Sequence, residues 1–421
     1  MVPPSEGVPL LELCNTMTKQ VEPFVPRTDN VVLMYTCGPS VYRRPHIGNY
    51  RTFLFEDLLQ RYLEYLGYKV TRLITLTDLE DKALAEAEAD KVSVEELTKK
   101  VVESFFSELR FLRMEVPELA PRSSTTVNQA VRLIKILLEK GCAYWHGGNI
   151  YFDPLKFKGF GKLARLDMSR WPKKRRRFHR DNYPGTPWNR GDFILWHGHR
   201  ACEKVQWDTE IGKGWPAWNV QDAAMVTNCL GFTIDVACGG IDNLVRHHDY
   251  TIAIVESAKD GLEEFAHYWL HGGHLFVDGK KMSKSKGNVY YTEDLLSRGY
   301  TAEHIRFFLM YAYYRDRLNF TFIKMEDRKL RLDAIRAMIH GLEDSRGAEP
   351  STNAGELVNE IVSRFEKNMN DDLHVKEAFD DISHIVSRLH ELNMGGRLGY
   401  EDAQAALANL RKIDQVFQVL F

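Results

Sequence analysis

The stretch from Asn30 to Asp78 reads "NVVLMYTCGPSVYRRPHIGNYRTFLFEDLLQRYLEYLGYKVTRLITLTD", and its reading decides the fold. The β-branched, apolar run before Gly38-Pro39 predicts a buried strand. After the turn, Phe55, Leu58, Leu59, Tyr62, Leu63 and Leu66 recur at helical spacing, and Gly67 closes the helix. "KVTRLITLTD" predicts a second strand. Strand, helix and strand at this length form a βαβ unit, which starts a parallel sheet.

Working outward, "VSVEELTKKVVESFFSELRFLRM" and "VNQAVRLIKILLEKGCAYW" predict further helices, and "GGNIYFDP" a strand after a turn. "SRWPKKRRRFHRDNYPGTPWNRGD" reads as a long irregular insertion. Sheet, loop and helix return from Ala237 to Lys281. From Thr301 to Phe421 the pattern is almost all helical, interrupted by the polar linker "HGLEDSRGAEPSTNAGE". No internal repeat is seen.

With 421 residues, the chain is long enough for two to four modules. Its 56 basic and 58 acidic residues nearly cancel, so a nucleic-acid partner is not signalled by overall charge. The basic run Lys173–Arg180 offers a local patch for a phosphate backbone, although a solvated loop is the commoner fate of such a run. Six scattered cysteines without a C-x-x-C pair suggest neither a zinc ribbon nor a disulfide framework, and fit a reducing, cytoplasmic setting. The N-terminus lacks the pattern of a signal peptide, and no run of about 18 apolar residues predicts a membrane span.

Two motifs point to phosphate chemistry. His46, Ile47, Gly48 and Asn49 stand where the first turn enters its helix, and a helix N-terminus is a ready anion site. "DGKKMSKSKGN" (278–288) is a glycine-flanked loop whose Lys281 and Lys284 would spread positive charge over a phosphoryl-transfer transition state. Alone, each has a bland alternative: a histidine capping a helix, or a solvated lysine loop.

Together, H-I-G-N and K-M-S-K-S resemble the signature pair of class I aminoacyl-tRNA synthetases. "LELCNTMTKQVEPFVP", "TLTDLEDKALAEA", "GGNIYFDPLKFKGFGKLARL", "GDFILW" and "FEKNMNDDLHVKEAF" sharpen the resemblance to cysteinyl-tRNA synthetases, from about Leu10 to the end. The resemblance implies an α/β fold: a Rossmann-like parallel-sheet core, an insertion and a C-terminal helical bundle. The expected divisions are 1–120 and 201–295 for the two halves of the core, 121–200 for the insertion, and 296–421 for the stem-contact region and bundle. It implies formation of an aminoacyl adenylate from an amino acid and ATP with Mg2+, then transfer to an acceptor. His46, Asn49, Lys281 and Lys284 match catalytic positions. Gly38, Gly48, Gly240, Asp242, Met282, Ser283 and Ser285 match ATP and adenylate positions, and Thr77 and Trp218 match the amino-acid pocket.

The chain departs from that family at the zinc site. The family's ligands are two cysteines, a histidine and a glutamate. Cys37 and His247 match two of them, but Asp222 and Thr251 replace the second cysteine and the glutamate. Either Cys37, Asp222 and His247 still hold zinc, or the metal is lost and these residues are hydrogen-bonded parts of the pocket. Asn219, Ala237, Cys238, Arg246 and Tyr250 also depart from family usage, which suggests an altered amino-acid specificity. The chain ends at "LRKIDQVFQVLF", where such enzymes continue into an anticodon-reading domain. A ligase of mycothiol synthesis, related to this family, also lacks that domain and acylates an amine. The expected acceptor is therefore a tRNA 3′ end or a small-molecule amine. A non-catalytic nucleotide- or RNA-binding descendant is the rival class.

Overall fold

The computed structural model describes residues 10–171, 191–198, 205–259, 263–282, 287–345 and 353–421. The stretch that decides the fold forms the expected unit. Strand Val31–Thr36 leads into helix Ile47–Tyr65, and strand Lys69–Ile74 returns parallel to the first, in register from Val31–Lys69 to Thr36–Ile74. Strand Ile234–Gly240 pairs on the other side of Val31–Thr36, and Ala266–Gly272 pairs beyond it, both parallel. The C-terminal ends of these four strands form one edge, where ligands bind in open α/β sheets.

The sheet separates two apolar cores, and strand alternation sorts its residues between them. Val32, Met34, Val236, Cys238 and Leu270 face the core shared with helix Ile47–Tyr65 and the C-terminal helices. Tyr35, Ala237 and Trp269 face the core built with helices Val127–Glu139, Trp218–Cys229 and Asp249–Ala258. Both faces are covered, which explains why the strands read as continuous apolar runs.

Five helices from Ala302–Met310 to Tyr400–Phe417 make up most of the C-terminal part, with a short strand at Leu318–Phe320. Arg306 ties this part to the sheet domain. Its fully buried guanidinium contacts Asp57 of helix Ile47–Tyr65 at 2.8 Å and the carbonyl of Phe417 at 2.7 Å. The helix that carries the H-I-G-N turn is thus anchored from behind.

The structure corrects one expected element. The helix read through Trp145 stops at Glu139, Gly141 takes φ +69°, and Ala143–His146 is a strand. That strand opens a five-stranded antiparallel sheet, which also contains Asn149–Phe152, Phe193–Gly198, Gly212–Pro216 and Trp207–Thr209. Of these strands, only Asn149–Phe152 matches an expected one. Most of the expected irregular insertion, including the basic run Lys173–Arg180, lies outside the described residues, as does the centre of the polar linker after Asp344.

Candidate active site

The H-I-G-N turn is built as a helix entrance. His46 is the extended residue before the helix (φ −98°, ψ 171°), and its N–H donates to the Asn49 side-chain oxygen at 3.0 Å. This cap orders the first turn, whose Asn49 and Tyr50 N–H groups return to the His46 carbonyl. The Ile47 N–H donates to the Tyr290 carbonyl at 3.0 Å, which ties the turn to the segment following the lysine loop. Gly48 is constrained by the same neighbour: a Cβ there would stand 2.4 Å from the Met282 methyl. Gly38 has no room either, since a Cβ would lie 1.8 Å from the Thr75 carbonyl oxygen. Lys281 is exposed at the mouth of the loop, while Ser283, Lys284 and Ser285 lie outside the described residues.

A cavity of about 450 Å³ opens at the C-terminal edge of the sheet. His46, Asn49, Gly38, Gly240, Asp242 and Met282 line one end, and Cys37, Thr77, Trp218 and His247 line the other. Asp242 follows strand Ile234–Gly240 and stands 3.8 Å from the His274 Nε2. Residues distant in sequence, and expected to handle either ATP or the amino acid, therefore share one crevice.

Behind the second end lies a buried polar network. Trp218 and Asp222 are four residues apart on helix Trp218–Cys229, so they share one face. The Trp218 ring stacks on His247 at 4.6 Å, and Asp222 Oδ2 lies 2.7 Å from His247 Nε2. The same oxygen accepts from the Tyr35 hydroxyl at 2.5 Å and the Thr75 hydroxyl at 3.2 Å. Burial pushes the Asp222 carboxyl up, but His247 and the bonds from Tyr35 and Thr75 outweigh it and hold the carboxyl below its ordinary value. Burial and the nearby Asp222 charge push the Cys37 thiol well up. The partner that a buried Asp222 requires is thus His247, supported by Tyr35 and Thr75. Tyr35 and Thr75 were not singled out in the sequence, where they read as ordinary strand residues.

The expected zinc ligands fit an ion only in part. Two donors on one tetrahedral zinc, each bonded at about 2.0–2.1 Å, stand roughly 3.3 Å apart. The Asp222–His247 separation of 2.7 Å is that of a direct hydrogen bond, so these two atoms do not flank a common ion. Thr251 donates its hydroxyl to the His247 carbonyl at 2.9 Å, one turn back in its own helix. A different trio converges instead: ligating atoms of Cys37, His247 and His248 all lie within 4.8 Å of one another. The chemistry of a thiol and two imidazoles suits zinc.

The other family departures lie elsewhere. Tyr250 stacks on Phe193 of the antiparallel sheet, with ring centroids 4.0 Å apart, and Asn219 donates to the Ile194 carbonyl at 2.9 Å. Ala237 and Cys238 are buried in the sheet. None of these, nor Arg246, is among the described residues that line the cavity. Tyr250, Asn219, Ala237 and Cys238 pack behind the pocket.

A family model for the class I (C) tRNA synthetase catalytic domain matches residues 23–329. This chain belongs to that family. Its members are ligases that form an aminoacyl adenylate, and they bind an amino acid, ATP and tRNA. Among curated relatives, the cysteine–tRNA ligase of Protochlamydia amoebophila is 33% identical over 414 residues, covering 97% of this chain and 86% of the relative. That of Solibacter usitatus is 36% identical, covering 97% and 87%. Among solved structures, Mycobacterium tuberculosis methionyl-tRNA synthetase with methionyl-adenylate superposes with a TM-score of 0.65 at 14% identity, over 93% of this chain and 90% of that one. The Agrobacterium radiobacter K84 agnB2 LeuRS–tRNA–LeuAMS complex gives 0.65 at 12% identity, over 94% and 85%. At that identity, the superpositions speak for the fold, which is the expected class I core with its helical region. Among the described residues, no helix is long and apolar enough to cross a membrane.

Proposed function

We propose that this synthetase activates an amino acid with ATP and transfers the aminoacyl group to the 3′ end of a tRNA, with cysteine as the amino acid. The observation that carries this reading is the single cavity that joins the capped N-terminus at Ile47 to Cys37, Thr77, Trp218 and His247. The amino-acid carboxylate attacks the α-phosphorus of ATP, the bond to the β-phosphate oxygen breaks, and pyrophosphate leaves. The His46 and Asn49 side chains and the Gly48 N–H, at the positive end of the helix, hold the phosphates. Lys281 and Lys284, with Mg2+, offset charge as it builds on the leaving pyrophosphate. Asp242 offers a carboxylate to the nucleoside end of the adenylate. A hydroxyl at the tRNA 3′ end then attacks the acyl carbon, and AMP leaves.

The choice of cysteine rests on relatives with that printed activity and on the gathering of Cys37 with two imidazoles. A zinc ion held there, when bound, takes a thiolate and rejects a hydroxyl. The same relatives favour tRNA over a small-molecule amine as acceptor, and these substrates suit a cytoplasmic reaction.

A second reading, altered amino-acid specificity, draws on the Asp222–His247 pair and the committed Thr251 hydroxyl. An anionic network behind the pocket favours a small polar or cationic side chain. ATP–pyrophosphate exchange across an amino-acid panel decides between the two. Fastest exchange with cysteine supports the first reading. Fastest exchange with another amino acid supports the second, and no exchange with any contradicts both.

A further inference from the structure

We propose that Glu108 and Arg44 are positioning residues for amino-acid activation: together they lock segment 289–293, which follows the lysine loop, against the H-I-G-N turn. This rests on reading the cavity as the activation site and deepens it. Neither residue enters the chemistry proposed above.

Glu108 sits near the end of helix Val94–Phe111, with its side chain only 9% exposed. A carboxylate that deep needs partners, and it finds them on two other elements. Oε1 accepts from Arg44 Nη2 at 2.5 Å and Nε at 3.1 Å, in the loop that leads into the H-I-G-N turn. Oε2 accepts from the Thr292 hydroxyl at 2.9 Å, at the start of helix Thr292–Leu296. Thr292 is itself buried. Arg44 Nη2 also donates to Glu293. Turn and helix are therefore linked twice, once through Glu108 and once directly. A planar guanidinium suits this task, since its fixed fork of donors can serve two carboxylates at once.

The lock lies where it shapes the site. Arg44, Val289 and Tyr291 line the cavity together with His46 and Asn49. The Ile47 N–H bond to the Tyr290 carbonyl is a third tie, and the Met282 methyl closes on Gly48 at the other flank of the loop. Both described flanks of the loop thus meet the turn. The Arg44–Glu293 pair alone, with side chains 40% and 54% exposed, would carry little weight as a surface ion pair. The buried Glu108 changes that, because removing one partner leaves polar groups unsatisfied inside a closed interface. Segment 289–293 is then free to shift, and the cavity wall shifts with it. A displacement of about 1 Å at a reacting site costs up to about 10²-fold in rate.

The test is steady-state pyrophosphate exchange by Glu108→Gln, Arg44→Gln and the double variant, at a temperature where circular dichroism shows each to be folded. The proposal expects each single variant to lower kcat about 10- to 100-fold for every amino acid that the unmutated chain activates, with KM for the amino acid unchanged. The double variant should be no slower than the slower single one, because the two residues act as a unit. Lys100→Gln, which breaks the exposed Lys100–Glu96 pair on the same helix, should leave kcat unchanged. Unchanged kcat in folded Arg44→Gln overturns the proposal, as do multiplied losses in the double variant or an equal loss in Lys100→Gln. Arg44 is the more exposed of the two, so its variant decides if Glu108→Gln does not fold. Tryptic cleavage after Lys281 and Arg298, described basic residues on either side of the segment, reads the lock without activity. It should quicken about 10-fold in folded Arg44→Gln, and an equal rate overturns the proposal. No exchange by the unmutated chain with any amino acid sinks the synthetase reading, and cleavage then decides by itself whether the lock exists.

Discussion

The two ends of the cavity are built differently. At the phosphate end, His46, Asn49, Gly48 and Met282 have a geometry that explains them: a capped helix entrance and a glycine pressed against the loop. At the side-chain end, two expected metal ligands are replaced. Asp222 is now bonded to three neighbours, and Thr251 is turned to its own helix. The ATP reaction is the same for every amino acid, so its machinery is separable from the choice of side chain. The side-chain end decides only which amino acid enters, and its donors can be exchanged if each buried polar group finds a partner.

Breaking the side-chain end should show the largest effect on stability. Asp222→Ala leaves His247, Tyr35 and Thr75 facing an empty buried site, and should cost about 3–5 kcal/mol, as when one partner of a buried pair is removed. Chemical denaturation measures it, and a loss below ~1 kcal/mol would mean that the network is not tightly made. At the phosphate end, Lys284→Ala should slow adenylate formation by about 10²–10³-fold, the loss from one preorganised donor, while ATP binding changes less. Single-turnover kinetics separate the two, and an unchanged rate would remove Lys284 from the reaction.

Gly48→Ala sharpens the comparison, because the added methyl meets the Met282 side chain. Forcing the loop to shift should cost about 1–3 kcal/mol and slow activation for every amino acid alike. A change that depends on the amino acid would contradict the division between the two ends. The smallest effect is expected at Thr251. Thr251→Val removes a hydroxyl bonded to a helix carbonyl that already serves its own helix, so stability should change by about 1 kcal/mol or less and activation should be unaltered. Loss of metal or of amino-acid selectivity in this variant would return Thr251 to the site.

The phosphate end was legible because its signals are local. A β-branched run, a glycine turn and a helical period fall within residues 30–78, and the strand–helix–strand unit formed there. The expectation that Asp222 and Thr251 stand where the cysteinyl family carries zinc ligands was also read one position at a time. The network around Asp222 was not, because residues 35, 75, 222 and 247 come from one strand, the end of another, a helix and a π-helical turn, and no periodicity links them. His247 and His248 were noticed as a pair, but the direction of His248 depends on a π turn that leaves no simple signature in sequence. The antiparallel sheet was mostly missed because its strands are short and widely separated, and "GCAYW" continued the apolar pattern of the preceding helix. The departures at Asn219, Ala237, Cys238 and Tyr250 looked like a rebuilt pocket, yet they pack behind it.

The most direct test of the account is ATP–pyrophosphate exchange with cysteine, serine and a wider panel, run on zinc-loaded and chelator-treated protein. The account predicts robust exchange that prefers cysteine and a preference that collapses on chelation while the ATP machinery stays intact. Exchange that is fastest with another amino acid and indifferent to chelation would contradict it.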